Sequence, residues 1–184
     1  IPNSLQKERD FFFIFINLLA ILLVIPAIYQ IWTSGYSTAY NSSTLIEYFL
    51  VIPLSTTLDL LGYTVSHNLD SLTYQDLDAN LTRRIFIAQS CSGYYSVIIF
   101  ISAFTSYIIN ESKKINFDFF LLLFIGIVVS YISNLIRMIL IILTGHYYGI
   151  DALFWVHENI GWIIFSLWVS IFWFLMNNFI YNNK

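Results

Sequence analysis

One cysteine occurs in the 184 residues, Cys91, in Gln89-Ser90-Cys91-Ser92-Gly93, where a polar stretch gives way to a long apolar one. Two more residues able to do chemistry sit inside apolar runs: Arg137, in Ser133-Asn134-Leu135-Ile136-Arg137, and His157, in His157-Glu158-Asn159-Ile160-Gly161-Trp162. Ionisable groups inside apolar helices are costly and point to function by default. A thiolate nucleophile, an imidazole and a fixed cation are the parts needed for acyl transfer through a thioester. Asn134, one turn before Arg137 on the same helix face, is placed to hold the arginine or a substrate. A helix starting just after Cys91 would set free backbone N–H groups beside the thiol and favour its thiolate. Each residue also has a plainer reading. A lone cysteine is usually a small buried hydrophobe, an arginine can snorkel to head groups, and an interfacial histidine often only bonds a helix end. The combination favours the chemical reading.

The elements that must position these residues are membrane helices. With 58% hydrophobic and 10% charged residues, the composition is that of an integral membrane protein. A spanning helix needs about 20 mostly apolar residues. Four runs meet that test: Phe11–Trp32, Gly93–Ile109, Phe117–Leu143 and Phe154–Met176. A fifth, Leu45–Leu61, contains Glu47, Pro53 and Asp59 and reads as a re-entrant or interfacial helix, with a fifth span as the alternative. The first run reads as an anchor rather than a removable signal. The expected fold is an all-α polytopic membrane protein, one domain over 1–184, with a short extracytoplasmic β-hairpin-like loop. In that loop Gly62–Val65 and Arg84–Ile87 are strands, joined by a turn region holding Asp70, Asp76 and Asp78.

Loop charges set the orientation. With four crossings, Lys7, Arg9, Lys113, Lys114 and Lys184 share one side and Arg83 and Arg84 the other, five against two, as the positive-inside rule prefers. If Leu45–Leu61 spanned, the count would be four against three. The four-span arrangement puts both chain ends in the cytoplasm and the segment from Thr33 to Gln89 outside. Cys91, Arg137 and His157 then fall at one depth, near the outer surface. Sequons at Asn41 and Asn80 suit that outer segment, but a third at Asn110 lies on the cytoplasmic side, so the signal decides nothing.

Several chemistries are disfavoured. A single cysteine forms no internal disulfide or CxxC pair. The net charge of -3 implies no nucleic-acid partner. His157-Glu158 opens an HExx pattern, but Gly161 stands where a zinc protease needs its second histidine, so no metal is expected. Nor is any other cofactor. His146 and Asp151 have the H-x4-D spacing of glycerolipid acyltransferases, a five-residue match that chance supplies. Tyr94, Tyr95, Tyr147, Tyr148, Trp155 and Trp162 read as interfacial belt aromatics first and substrate contacts second.

Taken together, Cys91-Ser92-Gly93, Asn134-Leu135-Ile136-Arg137, Gly145-His146-Tyr147-Tyr148-Gly149 and His157 with Gly161-Trp162 and Phe165 resemble the exosortase/archaeosortase family, over about residues 60–172. The resemblance implies a multi-pass cysteine transpeptidase in the cell membrane. Such an enzyme cleaves a C-terminal sorting signal of exported proteins, made of a short motif, an apolar helix and a basic tail. It then passes the new C-terminus to an acceptor, which in archaea is a lipid. It also implies Cys91 as nucleophile, Arg137 as electrostatic stabiliser and His157 as acid/base, with Ser92, Gly93, Tyr94, Asn134 and His146 in support. Having fewer membrane segments than the larger bacterial members, the chain resembles a compact archaeal type. The same residues would serve a protease that hydrolyses without transfer. A non-enzymatic membrane binding or assembly subunit would keep only an inert thiol.

Overall fold

The computed structural model describes residues 3–33, 44, 46–111 and 117–182. Leu45, Lys113, Lys114, Lys184, the Asn41 sequon and Ser112 of the Asn110 sequon lie outside the described residues. Helix α1 covers Asn3–Thr33. A short helix α2 starts with a π turn, Glu47–Val51, and continues as the α-helical Ile52–Leu60, with Pro53 just after the π-to-α junction. Strands β1 (Val65–Asn68), β2 (Ser71–Asp76) and β3 (Leu81–Phe86) follow. A 3-10 turn, Gln89–Ser92, leads into α3, Tyr94–Glu111. The rest is one helical run, Phe117–Asn182, broken only at Gly149. We call its halves α4 (117–148) and α5 (150–182).

Gly149 has φ 79° and ψ -177°, a conformation open essentially only to glycine. The chain reverses there. Arg137 and Ser130 on α4 come to face Gly161 and Trp168 on α5. The apolar runs read from the sequence end at Leu143 and resume at Phe154; across that interval helix continues to Tyr148 and resumes at Ile150. Leu5–Ile28 and Phe117–Asn178 are long and apolar enough to cross a membrane, and Tyr94–Asn110 is apolar but shorter. Helix α1 packs along α3, and Asn110 Nδ2 donates to the Lys7 carbonyl at 3.0 Å. The start of α1 therefore meets the end of α3, and the two run antiparallel.

Two apolar cores stack along the bundle. The first, remote from Cys91, is aromatic: Phe100, Phe104 and Ile108 of α3 against Trp168, Phe172 and Met176 of α5. Gly126 of α4 admits the Phe100 ring, since a Cβ there would lie 2.0 Å from Phe100 Cζ. The second core joins α2, the sheet, Cys91, and Met138, Ile141, Ile142, Leu153 and Val156. The π and α parts of α2 hold five and nine residues, about 21 Å of helix and short of the ~30 Å of a bilayer core. It lies against β1 and the α4–α5 pair, burying Leu50, Val51, Leu54 and Leu58.

The segment between α2 and α3 differs from expectation. It is a three-stranded antiparallel meander of order β1-β2-β3, not a hairpin. The residues read as an acidic turn hold its central strand, and Gly62–Thr64 and Ile87 lie outside the strands. Ser71, Leu72, Tyr74 and Asp76 of β2 are buried. Asp76 pairs with Arg83 across the ladder and accepts the Ala79 N–H at 3.0 Å. These two, the Ala79 N–H first, hold the Asp76 carboxyl below its usual range. The sheet is tied to the helices at the α4 terminus: Leu77 N–H donates to the His146 carbonyl at 2.9 Å, and His146 Nδ1 bonds the Gln75 carbonyl. Gly145 allows this close seat, because a Cβ would come within 2.7 Å of Tyr74 Oη and 2.5 Å of Leu153 Cδ1.

Candidate active site

Cys91 sits in the 3-10 turn at the junction of sheet and bundle, three residues before α3 begins. Its own N–H donates to the Ala88 carbonyl at 2.9 Å. The helix expected to start just after Cys91, at Gly93, starts one residue later at Tyr94, after a left-handed Gly93 with φ 80°. Only glycine enters that conformation at low cost. The side chain that glycine lacks matters equally, for a Cβ at 93 would stand 2.8 Å from Asn134 Cγ. Gly93 therefore turns the chain and lets α4 approach the thiol.

That approach has a definite result. Asn134 Nδ2 donates to the Cys91 carbonyl at 3.1 Å, and Arg137 Nη2 donates to the same oxygen at 3.2 Å. Both lie one turn apart on α4, as one helix face requires. From α5, His157 Nε2 reaches Cys91 Sγ at 3.8 Å. Sequence reasoning selected Cys91, Asn134, Arg137 and His157, and the fold brings all four together. Asn134 does not hold the arginine; it shares a carbonyl with it. Cys91 is 8% exposed and Asn134 7%, so the cluster is shielded yet at the edge of the bundle.

Chemically, an imidazole at this distance can take a thiol proton, with the contact tightening once substrate arrives. The guanidinium has five N–H donors. One is spent on the Cys91 carbonyl, and others remain for a developing oxyanion beside the sulfur. Gly161, one turn after His157, clears the space for that group: a Cβ there would lie 3.0 Å from Arg137 Nη1. Glycine at 161 thus excludes the zinc-protease pattern and makes room for the cation. Among the described residues, no cluster of three or more His, Cys, Asp or Glu could hold a metal.

The supporting residues divide. Gly93 is part of the cluster. Ser92 Oγ accepts the Tyr94 N–H at 3.4 Å, capping the start of α3, and the half-buried Tyr94 ring meets Tyr95 edge-on. His146 is engaged elsewhere: besides Gln75, its ring contacts Tyr63 and Tyr147, so it joins sheet to bundle. The sequence reading did not single out Ser96 and Ser130, which line a cleft beside Arg137. Serines among apolar residues near a half-buried arginine were the available signal.

No curated protein and no solved structure matches the chain. The family described as "Transmembrane exosortase (Exosortase_EpsH)" matches residues 8–174, a stretch that holds Cys91, Asn134, Arg137 and His157. With most of its length matched, the chain belongs to the transmembrane exosortase family.

Proposed function

We propose that this protein is a membrane cysteine transpeptidase that removes the C-terminal sorting signal of exported proteins and transfers the new C-terminus to an acceptor. The observation that carries the reading is the Cys91 Sγ–His157 Nε2 contact of 3.8 Å, with Arg137 and Asn134 converging on the Cys91 carbonyl. His157 takes the thiol proton as Cys91 attacks the scissile carbonyl. The tetrahedral oxygen gathers charge beside the remaining Arg137 donors. His157 then returns the proton to the leaving amine, the basic tail departs, and a thioester to Cys91 remains. An acceptor nucleophile releases the chain. We assign a membrane lipid as that acceptor and a compact archaeosortase-like type to the enzyme.

We also propose four membrane crossings, by α1, α3, α4 and α5, with the Lys7 end cytoplasmic and the sheet and Cys91 outside. The antiparallel contact of Lys7 with Asn110 supports this, since it sets the start of α1 and the end of α3 at one level. Cys91 lies beyond the other end of α3, whose 18 residues span about 27 Å, close to the bilayer core. A substrate helix inserted in the membrane would then present its scissile bond at the thiol.

The test is co-expression with an exported protein bearing motif, apolar helix and basic tail. Wild type releases the tail, and Cys91→Ala leaves it in place while remaining folded in the membrane. Full processing by Cys91→Ala sinks the mechanism. Mass spectrometry of the product separates lipid transfer from hydrolysis.

A further inference from the structure

A cleft of about 30 Å³ descends beside Arg137 between the three helices, away from the thiol. Its polar wall is Ser96 of α3 with Ser130, Ser133, Asn134 and Arg137 of α4; Gly161, Phe165 and Trp168 of α5 close it. Two polar atoms there are buried without a hydrogen-bond partner among the described residues: Arg137 Nε and Ser130 Oγ. Ser130 is 2% exposed. Leaving such groups unpaired costs about 1–3 kcal/mol each, and more for a charged one. A water site needs roughly 10–15 Å³ of this kind of volume and two or more polar partners. The cleft offers both. It is too small for most side chains, and its donors and hydroxyls suit a small neutral molecule that both gives and accepts hydrogen bonds. Buried arginines in membrane helices commonly face water or a partner, yet among the described residues no acidic one lines this cleft.

We propose that the cleft is a water site, holding one or two molecules against Arg137 Nε–H and Ser130 Oγ, and that Ser130 is thereby a positioning residue for the guanidinium. The Nη2 end of Arg137 is fixed on the Cys91 carbonyl; the water secures the Nε edge. The fork is then held at both ends, and its free donors point where a scissile carbonyl would lie. The functional part rests on the transpeptidase reading, whereas the hydration part does not.

The chain's single cysteine makes the hydration test clean. In a Cys91→Ala background, Ser130→Cys carries the only S–H group, whose infrared stretch lies apart from other protein bands. Transfer to heavy water converts it to S–D at a rate set by contact with water. The control is Ser102→Cys: Ser102 Oγ is likewise buried and unpartnered, but it lies outside the cleft lining. Ser130→Cys is expected to exchange at least about tenfold faster than Ser102→Cys, since exchange requires water to reach the group. Ser96→Cys, which lines the cleft from α3, should behave as Ser130→Cys does, which guards against a misfolded variant. Equal, slow exchange at 96, 130 and 102 overturns the water site. In the otherwise native enzyme, Ser130→Ala is expected to lower kcat about tenfold, as loss of one hydrogen bond implies, with KM unchanged. Ser102→Ala should not lower it. Unchanged kcat in Ser130→Ala overturns the positioning role. If Cys91→Ala processes substrate normally, the transpeptidase reading fails by itself, and the exchange result stands apart from it.

Discussion

Replacing Arg137 with lysine separates a catalytic guanidinium from a merely cationic anchor. Snorkelling requires only a positive charge on a long stem, which lysine has. The structure asks for more. Nη2 reaches the Cys91 carbonyl at 3.2 Å beside Asn134 Nδ2 at 3.1 Å, while Nη1 occupies the space left by Gly161. An ammonium is a point charge without a planar fork, so it cannot meet these two places and an oxyanion together. Losing a hydrogen bond from a charged group costs about 1.5–3 kcal/mol, and losing one oxyanion donor about 2.7–4 kcal/mol. At 1.36 kcal/mol per decade, the second loss alone slows turnover roughly 100-fold or more. The assay is single-turnover cleavage of a tail-bearing substrate, with pull-down of uncleaved substrate alongside. Arg137→Lys should insert, bind and fail to turn over. Near-normal turnover would refute the reasoning and reduce the site to Cys91 and His157.

Other perturbations test neighbouring parts of the argument. Cys91→Ser should be nearly as inactive as Cys91→Ala in the co-expression assay, because a hydroxyl lacks the thiol's acidity. Gly149→Ala should destabilise the α4–α5 reversal by about 1–3 kcal/mol from backbone strain. It also brings a Cβ to 2.9 Å from Asp78 Oδ2, and a thermal melt in detergent reads the outcome. In the sheet, the Asp76 carboxyl titrates below its ordinary 3.8 when folded. Its contribution is therefore complete above that pH and is lost as pH falls through the folded value. Amide protection in β2, measured relative to the intrinsic exchange rate at each pH, should be full above pH ~4 and fall below it, and Asp76→Asn should remove that dependence. A membrane-impermeant maleimide should label Cys91 from outside intact cells, whereas an impermeant amine reagent should reach Lys113 and Lys114 only after lysis; lysine labelling from outside would reverse the proposed orientation.

What the sequence made legible follows from where its signals are local. Helix content in α1, α3, α4 and α5 shows because long apolar runs with few charges have few other uses. The site was legible for the same reason: Cys91, Arg137 and His157 stand out against apolar neighbours, and Asn134 shares a face with Arg137 by the helical repeat. The missed features depend on contacts distant in sequence. Strand β2 was hidden because Asp70, Asp76 and Asp78 resemble turn residues. Asp76 is buried only through Arg83 and the Ala79 N–H, partners that a single-strand pattern does not reveal. His146 looked like a site residue because histidine near an apolar end invites chemistry; its partner, the Gln75 carbonyl, comes from the sheet.

The glycines are the most instructive case. Gly93, Gly149 and Gly161 are plain in the sequence, but their roles depend on what approaches them. Gly93 admits Asn134, Gly161 admits Arg137, and Gly149 turns α5 back so that His157 can meet Cys91. At Gly93 and Gly161 an absent side chain sets a distance in the cluster, and at Gly149 a backbone conformation does. Without them α4 and α5 could not bring Asn134, Arg137 and His157 to the thiol. The resemblance that reads as four short motifs is, physically, a set of reactive groups together with the clearances that let them meet.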